Sequence, residues 1–291
     1  MKYNRIFYAN IIYRCNNHCS YCISHNTVNK TNNEILGIED IQFLHKKEKI
    51  SSSDLFIISG GEPTISSEFE SIVNYLEFLC CNIIIYTNGT NKIKQELLDY
   101  PNIRVIIPLY GLKEFHNTII GNPTGYDRTI QFLKTCLFPE KIDLKILISD
   151  KTNASEVISI ISNYRNTYKR IHISGITDKA FNTTLSNFLN IERIVTFLLR
   201  EKIEFKFSNI PLCKIKCVME ILEVNNKYES LFATDKAYFV GIKTWREINY
   251  NKMTNWYEDC KKCRFNALCT NTNLRFPVLL VNDGKVFLEE E

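Results

Sequence analysis

Six times between Ile6 and Arg200 a short apolar run is followed by a stretch whose apolar residues recur every three or four positions. The runs, residues 6–13, 55–59, 83–86, 105–109, 144–148 and 171–175, are too short and too continuously apolar for surface strands. They predict strands buried on both faces, as in a parallel sheet covered by helices. The intervening stretches at 38–47, 67–79, 93–98, 126–137, 154–164 and 188–200 predict those helices. Their apolar faces read Ile38, Ile41 and Leu44, then Phe69, Ile72, Val73, Leu76 and Leu79, then Ile130, Leu133 and Leu137, then Val157, Ile161 and Tyr164. Ser67 with Glu70 has the pattern of a capping box that would open the second helix. The expected fold class is α/β, a partial (β/α)6 TIM-like barrel. In such sheets function gathers at the C-terminal ends of the strands. Those ends carry the loop after Tyr13, Gly60-Gly61-Glu62-Pro63, Thr87-Asn88-Gly89, Tyr110-Gly111, Ser149-Asp150 and Ser174-Gly175.

The loop after the first strand reads Cys15-Asn16-Asn17-His18-Cys19-Ser20-Tyr21-Cys22. Three thiolates in eight residues form a soft ligand set, suited to zinc or to an iron–sulfur cluster. A structural zinc site wants a fourth ligand, and His18 and His25 are close in sequence. If neither joins, a four-iron cluster on these cysteines keeps one iron without a protein ligand, open to a small molecule.

Hydrophobic residues make up 45% and charged residues 23% of 291, as in a soluble globular protein. A formal charge of +4 with no long Lys/Arg run gives no nucleic-acid footprint, and no apolar stretch reaches membrane-spanning length. The N-terminus lacks the apolar core of a signal peptide, so a cytoplasmic setting is expected. The eleven cysteines fall in clusters, at 15–22 and at 213, 217, 260, 263 and 269, with Cys80, Cys81 and Cys136 scattered. Short clustered spacings argue for metal binding and against a disulfide framework.

The three-cysteine loop after the first strand, with an aromatic residue before its last cysteine, resembles the signature of radical S-adenosylmethionine (SAM) enzymes. Gly60-Gly61-Glu62-Pro63 at the end of the second strand resembles that family's SAM-amine motif. The resemblance implies that Cys15, Cys19 and Cys22 hold a [4Fe–4S] cluster, and that SAM binds its open iron. It implies reductive cleavage of SAM to a 5′-deoxyadenosyl radical that takes a hydrogen atom from substrate. On this reading Tyr21 packs near the adenine. Gly60 and Gly61 let the backbone approach the ligand. Glu62 accepts from the SAM ammonium. Asn88, Ser149 and Asn153 are placed for ribose or carboxylate contacts, and Arg128 for the SAM carboxylate. One departure is Pro108, which stands where related enzymes often carry a serine for the ribose.

After Arg200 the pattern changes; residues 201–210 would form a last strand, and a boundary is expected near Pro211. The division is residues 1–210 as the barrel and 211–291 as a small C-terminal iron–sulfur domain. Cys213 with Cys260-x2-Cys263-x5-Cys269 is similar to the auxiliary-cluster tails called twitch and SPASM domains. Four cysteines would ligate one auxiliary [4Fe–4S] cluster, with Cys217 as an alternative ligand or a hydrogen donor to a substrate radical. Tails of this kind resemble those of maturases that install cross-links, thioethers or epimerised residues in ribosomally made peptides. The alternatives are a radical SAM modification of a small molecule (cofactor, nucleoside or sugar) and a non-catalytic metal-binding protein. Expected partners are a peptide or small-molecule substrate and a reductant such as flavodoxin or ferredoxin. Because the first strand begins at Ile6, leader-peptide binding is expected to use a separate protein or the barrel rim.

Overall fold

A computed structural model describes residues 3–22, 36–148, 151–168, 170–175, 188–203, 205–208, 237–241, 244–247, 278–282 and 285–289. The strands are β1 (Arg5–Ile12), β2 (Asp54–Gly60), β3 (Asn82–Tyr86), β4 (Ile103–Leu109), β5 (Ile142–Ile148), β6 (Arg170–Gly175) and β7 (Phe205–Ser208). They pair in sequence order and all in parallel. The sheet is open and extended at both edges. β8 (Ala237–Gly241) lies parallel to β1 and carries β9 (Thr244–Glu247). β10 (Val278–Asn282) runs antiparallel to β7 and carries β11 (Lys285–Glu289). The expected α/β architecture, an unclosed (β/α)6-type barrel, is what the chain forms. The described strands beyond Pro211 belong to the same sheet as those before it.

The crossover helices are α1 (Ile38–Glu48), α2 (Phe69–Phe78), α3 (Gln95–Leu98), α4 (Lys113–Ile120), α5 (Gly125–Thr135), α6 (Ala154–Tyr164) and α7 (Phe188–Arg200). Strand alternation sends Phe7, Phe56, Ile83, Val105, Leu144 and Ile171 toward them, into one core with Ile41, Ile72, Leu98, Leu133, Val157 and Leu198. Each side chain buried there contributes on the order of 2 kcal/mol. The opposite face is lined low down by Leu55, Ile57, Ile84 and Ile106, with Tyr8 and Tyr86 against them. Above that floor it turns polar. Ser59 donates to Asn10 at 2.8 Å, and Lys145 Nζ stands 5.3 Å from the Tyr86 ring centroid, beside His172 in register.

Three local expectations are corrected. Ser67 does not cap α2. The chain arrives through a 3-10 turn at Pro63–Ile65, which puts Glu68 at the cap position. Ser66 Oγ accepts from the Glu68 N–H at 3.2 Å, and Glu70 pairs with Lys94. Leu137 lies beyond α5 and is 72% exposed, so it does not extend that helix's apolar face. Helix α4 was not expected at all. Its signal is His116, Ile119 and Ile120, buried at helical spacing, closed by Gly121 in the left-handed conformation at φ +60°.

Candidate functional site

β1 ends in an irregularity between Asn10 and Ile12 and hands the chain straight to the cysteine loop. One side of that loop leans on β2. The Gly61 N–H donates to the Ile12 carbonyl at 2.6 Å, and the Glu62 N–H to the Arg14 carbonyl at 3.0 Å. A Cβ on Gly60, whose φ is +124°, would lie 2.2 Å from the Ile12 oxygen; one on Gly61 would lie 2.2 Å from the Arg14 oxygen. The two glycines therefore admit the chain's own backbone. The other side of the loop sits on the C-terminal end of α4. There the His18 and Ser20 N–H groups donate to the Ile120 and Ile119 carbonyls at 2.8 and 2.9 Å. Those carbonyls are orphans of the helix end, so the loop completes the helix while the helix fixes the loop. Asn122 Nδ2 adds a bond to Asn17 Oδ1 at 2.7 Å.

Cys15, Cys19 and Cys22 are free and half-buried. Burial pushes the Cys19 thiol up to about 12, and the neighbouring Cys15 and Cys22 thiolates push the same way. Burial likewise raises Cys15, with Glu62 and Cys22 adding to it. Burial thus holds Cys15 and Cys19 back from ionising, and metal binding is what takes such protons off. Among the described residues no three His, Cys, Asp or Glu side chains converge on a single-ion position. Three thiols on one short loop are a soft donor set, which fits an iron–sulfur cluster.

Glu62 is 1% exposed and holds the rim together. Its Oε1 accepts from the Thr64 N–H, the Thr64 hydroxyl and the Thr87 hydroxyl at 3.2, 2.5 and 2.6 Å. Its Oε2 accepts from the Asn88 N–H at 2.7 Å. Burial raises its carboxyl above the usual range, and these hydrogen bonds oppose the rise. The end of β2 is thereby tied to the end of β3.

A buried ring stands beside the cysteines. Tyr110, at the end of β4, has its phenol raised by burial and then by Cys19, Cys22 and Cys15. His116 of α4 lies edge-on between Tyr110 and Tyr126, at 5.6 and 5.5 Å. Burial pushes His116 down to about 4. The unfolded chain protonates this group near its ordinary pKa of about 6.5. Folded stability is therefore complete above that pH and drains away as the pH falls toward 4, by about 3 kcal/mol. Urea midpoints of the apo protein at about pH 7 and about pH 4.5 should diverge, and His116→Phe should flatten that divergence.

The structure thus brings together Cys15, Cys19, Cys22, Gly60, Gly61, Glu62 and Asn88, with Tyr21 half-buried against the core. Two other expected residues lie on the helices behind the rim. Asn153 caps α6, accepting from the Ser155 N–H at 3.0 Å, and Arg128 is exposed on α5. Ser149 and Cys213, Cys217, Cys260, Cys263 and Cys269 lie outside the described residues. Sequence reasoning passed over Asn16, Asn17, Thr87, Thr90 and Asn122. The Asn pair directly after Cys15 and the Thr before Asn88 were the available signals.

Residues 9–137 match the model of the Radical SAM superfamily. That segment runs from β1 to just past α5 and is a little under half of the chain. The sporulation killing factor maturation protein SkfB of Bacillus subtilis is 23% identical over 171 residues, covering 56% of this chain and 40% of its own length. The Fe-coproporphyrin III synthase of Methanosarcina barkeri is 26% identical over 159 residues, 52% of this chain and 38% of its own. The chain thus spans about two fifths of these curated relatives. Among solved structures, Streptococcus suis SuiB bound to precursor peptide SuiA aligns over 93% of this chain and 72% of its own at TM-score 0.67 and 13% identity. The structure of anSMEcpe with bound AdoMet and Cp18Cys peptide aligns over 98% and 92% at TM-score 0.61 and 17% identity. At these identities the likeness is one of fold. No helix among the described residues is long and apolar enough to cross a membrane.

Proposed function

We propose that this chain, built on the radical SAM domain of residues 9–137, is an enzyme that reductively cleaves SAM and modifies a ribosomally synthesised peptide. The observation that carries the first half is the cysteine loop, with three free thiols clamped between the β2 glycines and the end of α4. Cys15, Cys19 and Cys22 would hold a [4Fe–4S] cluster, and the rim of Gly60, Gly61, Glu62 and Tyr21 would bound the SAM site. When bound, cluster and SAM together supply a 5′-deoxyadenosyl radical able to take a hydrogen atom from substrate. The chain's own residues do the rest. The glycines bring β2 against the loop, Glu62 joins two strand ends, and the polar rows of Lys145, His172, Asn10 and Ser59 offer a face for substrate.

The peptide half is supported by the likeness to SkfB, named as a maturation protein, and by the fold shared with SuiB and anSMEcpe, both solved with peptides. Small-molecule chemistry is the second reading, favoured by the similarity to a coproporphyrin synthase. Residues 211–291 are proposed as the auxiliary-cluster unit, with Cys213, Cys260, Cys263 and Cys269 as ligands and Cys217 as a spare ligand or hydrogen donor. A flavodoxin or ferredoxin would deliver electrons in the cytoplasm.

Anaerobic reconstitution tests the ligand assignment. About eight irons per chain support two clusters and about four support one. Cys213→Ala should halve the higher count; an unchanged count moves the fourth ligand to Cys217. For substrate, a precursor peptide should leave the reaction lighter by two hydrogens for a cross-link or thioether, or with solvent deuterium for an epimer. A tetrapyrrole consumed in its place would select the second reading.

A further inference from the structure

Asn88 follows β3, and the hydrogen bonds of its side chain run to the cysteine loop. Its Oδ1 accepts from the Thr90 N–H at 2.9 Å and the Thr90 hydroxyl at 2.6 Å. A backbone N–H only donates, so the oxygen of the carboxamide is fixed and its NH2 faces the other way. There Nδ2 reaches Asn16 Oδ1 at 2.8 Å and Cys15 Sγ at 3.9 Å. Asn16 Nδ2 donates to Thr90 Oγ1 at 2.8 Å, which closes a ring of three side chains around the start of the loop. The backbone of Asn88 is held as firmly. Its N–H goes to Glu62 Oε2, and its carbonyl accepts from the Thr129 hydroxyl at 2.9 Å. Cys15 Sγ also receives the Asn17 N–H at 3.4 Å, so two N–H donors address one sulfur.

We infer that Asn88 is a positioning residue for the cluster, holding the Cys15 sulfur by an N–H···S bond and raising the potential at which the cluster takes up an electron. The inference rests on the radical SAM reading. An electron from the external reductant adds negative charge that spreads onto the ligating sulfurs. A donor aimed at one of them stabilises the reduced form more than the oxidised form. This assigns Asn88 to the cluster side of the site and away from SAM. Its N–H, its carbonyl and both ends of its carboxamide already have protein partners. The network also gives Glu62 a path to Cys15 through one residue.

The test is a potentiometric EPR titration of the reconstituted full chain, following the cluster signal that shifts when SAM is added. Asn88→Ala is expected to move the midpoint to lower potential at unchanged iron per chain. Thr90→Val keeps the Asn88 carboxamide but removes the hydroxyl that orients it. A smaller shift in the same direction is expected, and this variant decides the matter if Asn88→Ala loads no iron. Unchanged midpoints in the loaded variants overturn the inference. So does an unchanged midpoint accompanied by a higher SAM concentration for the spectral shift, which would make Asn88 a SAM contact. A wild-type protein with no SAM-responsive signal overturns the radical SAM reading itself, and the inference with it.

Discussion

Gly61→Ala should destabilise the apo protein by about 3 kcal/mol and abolish iron retention by the cysteine loop. A methyl group at Gly61 meets the Arg14 oxygen at 2.2 Å, the Tyr13 oxygen at 2.5 Å and the Arg14 carbon at 2.6 Å. All three are main-chain atoms one or two residues before Cys15, and no rotamer change relieves them. Either β2 withdraws from the loop, losing the bonds from the Gly61 and Glu62 N–H groups, or the loop shifts and carries Cys15 with it. Gly111→Ala is the control. Its methyl would meet the Phe115 ring at 2.8 Å, and a side chain can move aside, so a cost of about 1 kcal/mol and normal iron loading are expected. Thermal midpoints and iron assays on the two variants separate backbone congestion at the loop from a general intolerance of bulk at strand ends.

Glu62→Leu should cost about 3–5 kcal/mol, because it strands buried donors. The Thr64 N–H, the Thr87 hydroxyl and the Asn88 N–H lose their acceptor together, and the tie between β2 and β3 goes with them. Glu62→Gln keeps the shape and one oxygen, and should lose roughly half as much. The measurement to make is apo stability. A residue whose whole task was to receive the SAM ammonium would leave the unliganded protein as stable as before. A fall in the apo midpoint places Glu62 in the framework of the rim.

The strand–helix alternation was legible because each buried parallel strand must be a continuous apolar run, as Leu55 to Ile58 and Ile83 to Ile85 are. The cysteines were legible as a soft ligand set from their spacing, and the Gly60–Glu62 motif from its resemblance to the radical SAM pattern. What stayed hidden depends on long-range closure. Helix α4 has only two turns and one His among its buried positions, so its periodicity is faint, yet its C-terminal carbonyls seat His18 and Ser20. Asn16 and Thr90 look like loop polar residues until the fold sets them 2.8 Å apart across 74 positions of sequence. The glycine motif alone suggests room for a ligand, whereas residues 12–14 press against both glycines in the structure.

The central claim is that Cys15, Cys19 and Cys22 build a site at which SAM is cleaved. Its most direct measurement is 5′-deoxyadenosine released by the anaerobically reconstituted chain with SAM and dithionite. Wild type should produce it, and Cys15→Ala, Cys19→Ala and Cys22→Ala should each reduce it to background. No 5′-deoxyadenosine from iron-loaded wild type, with candidate peptides and tetrapyrroles present, would contradict the account.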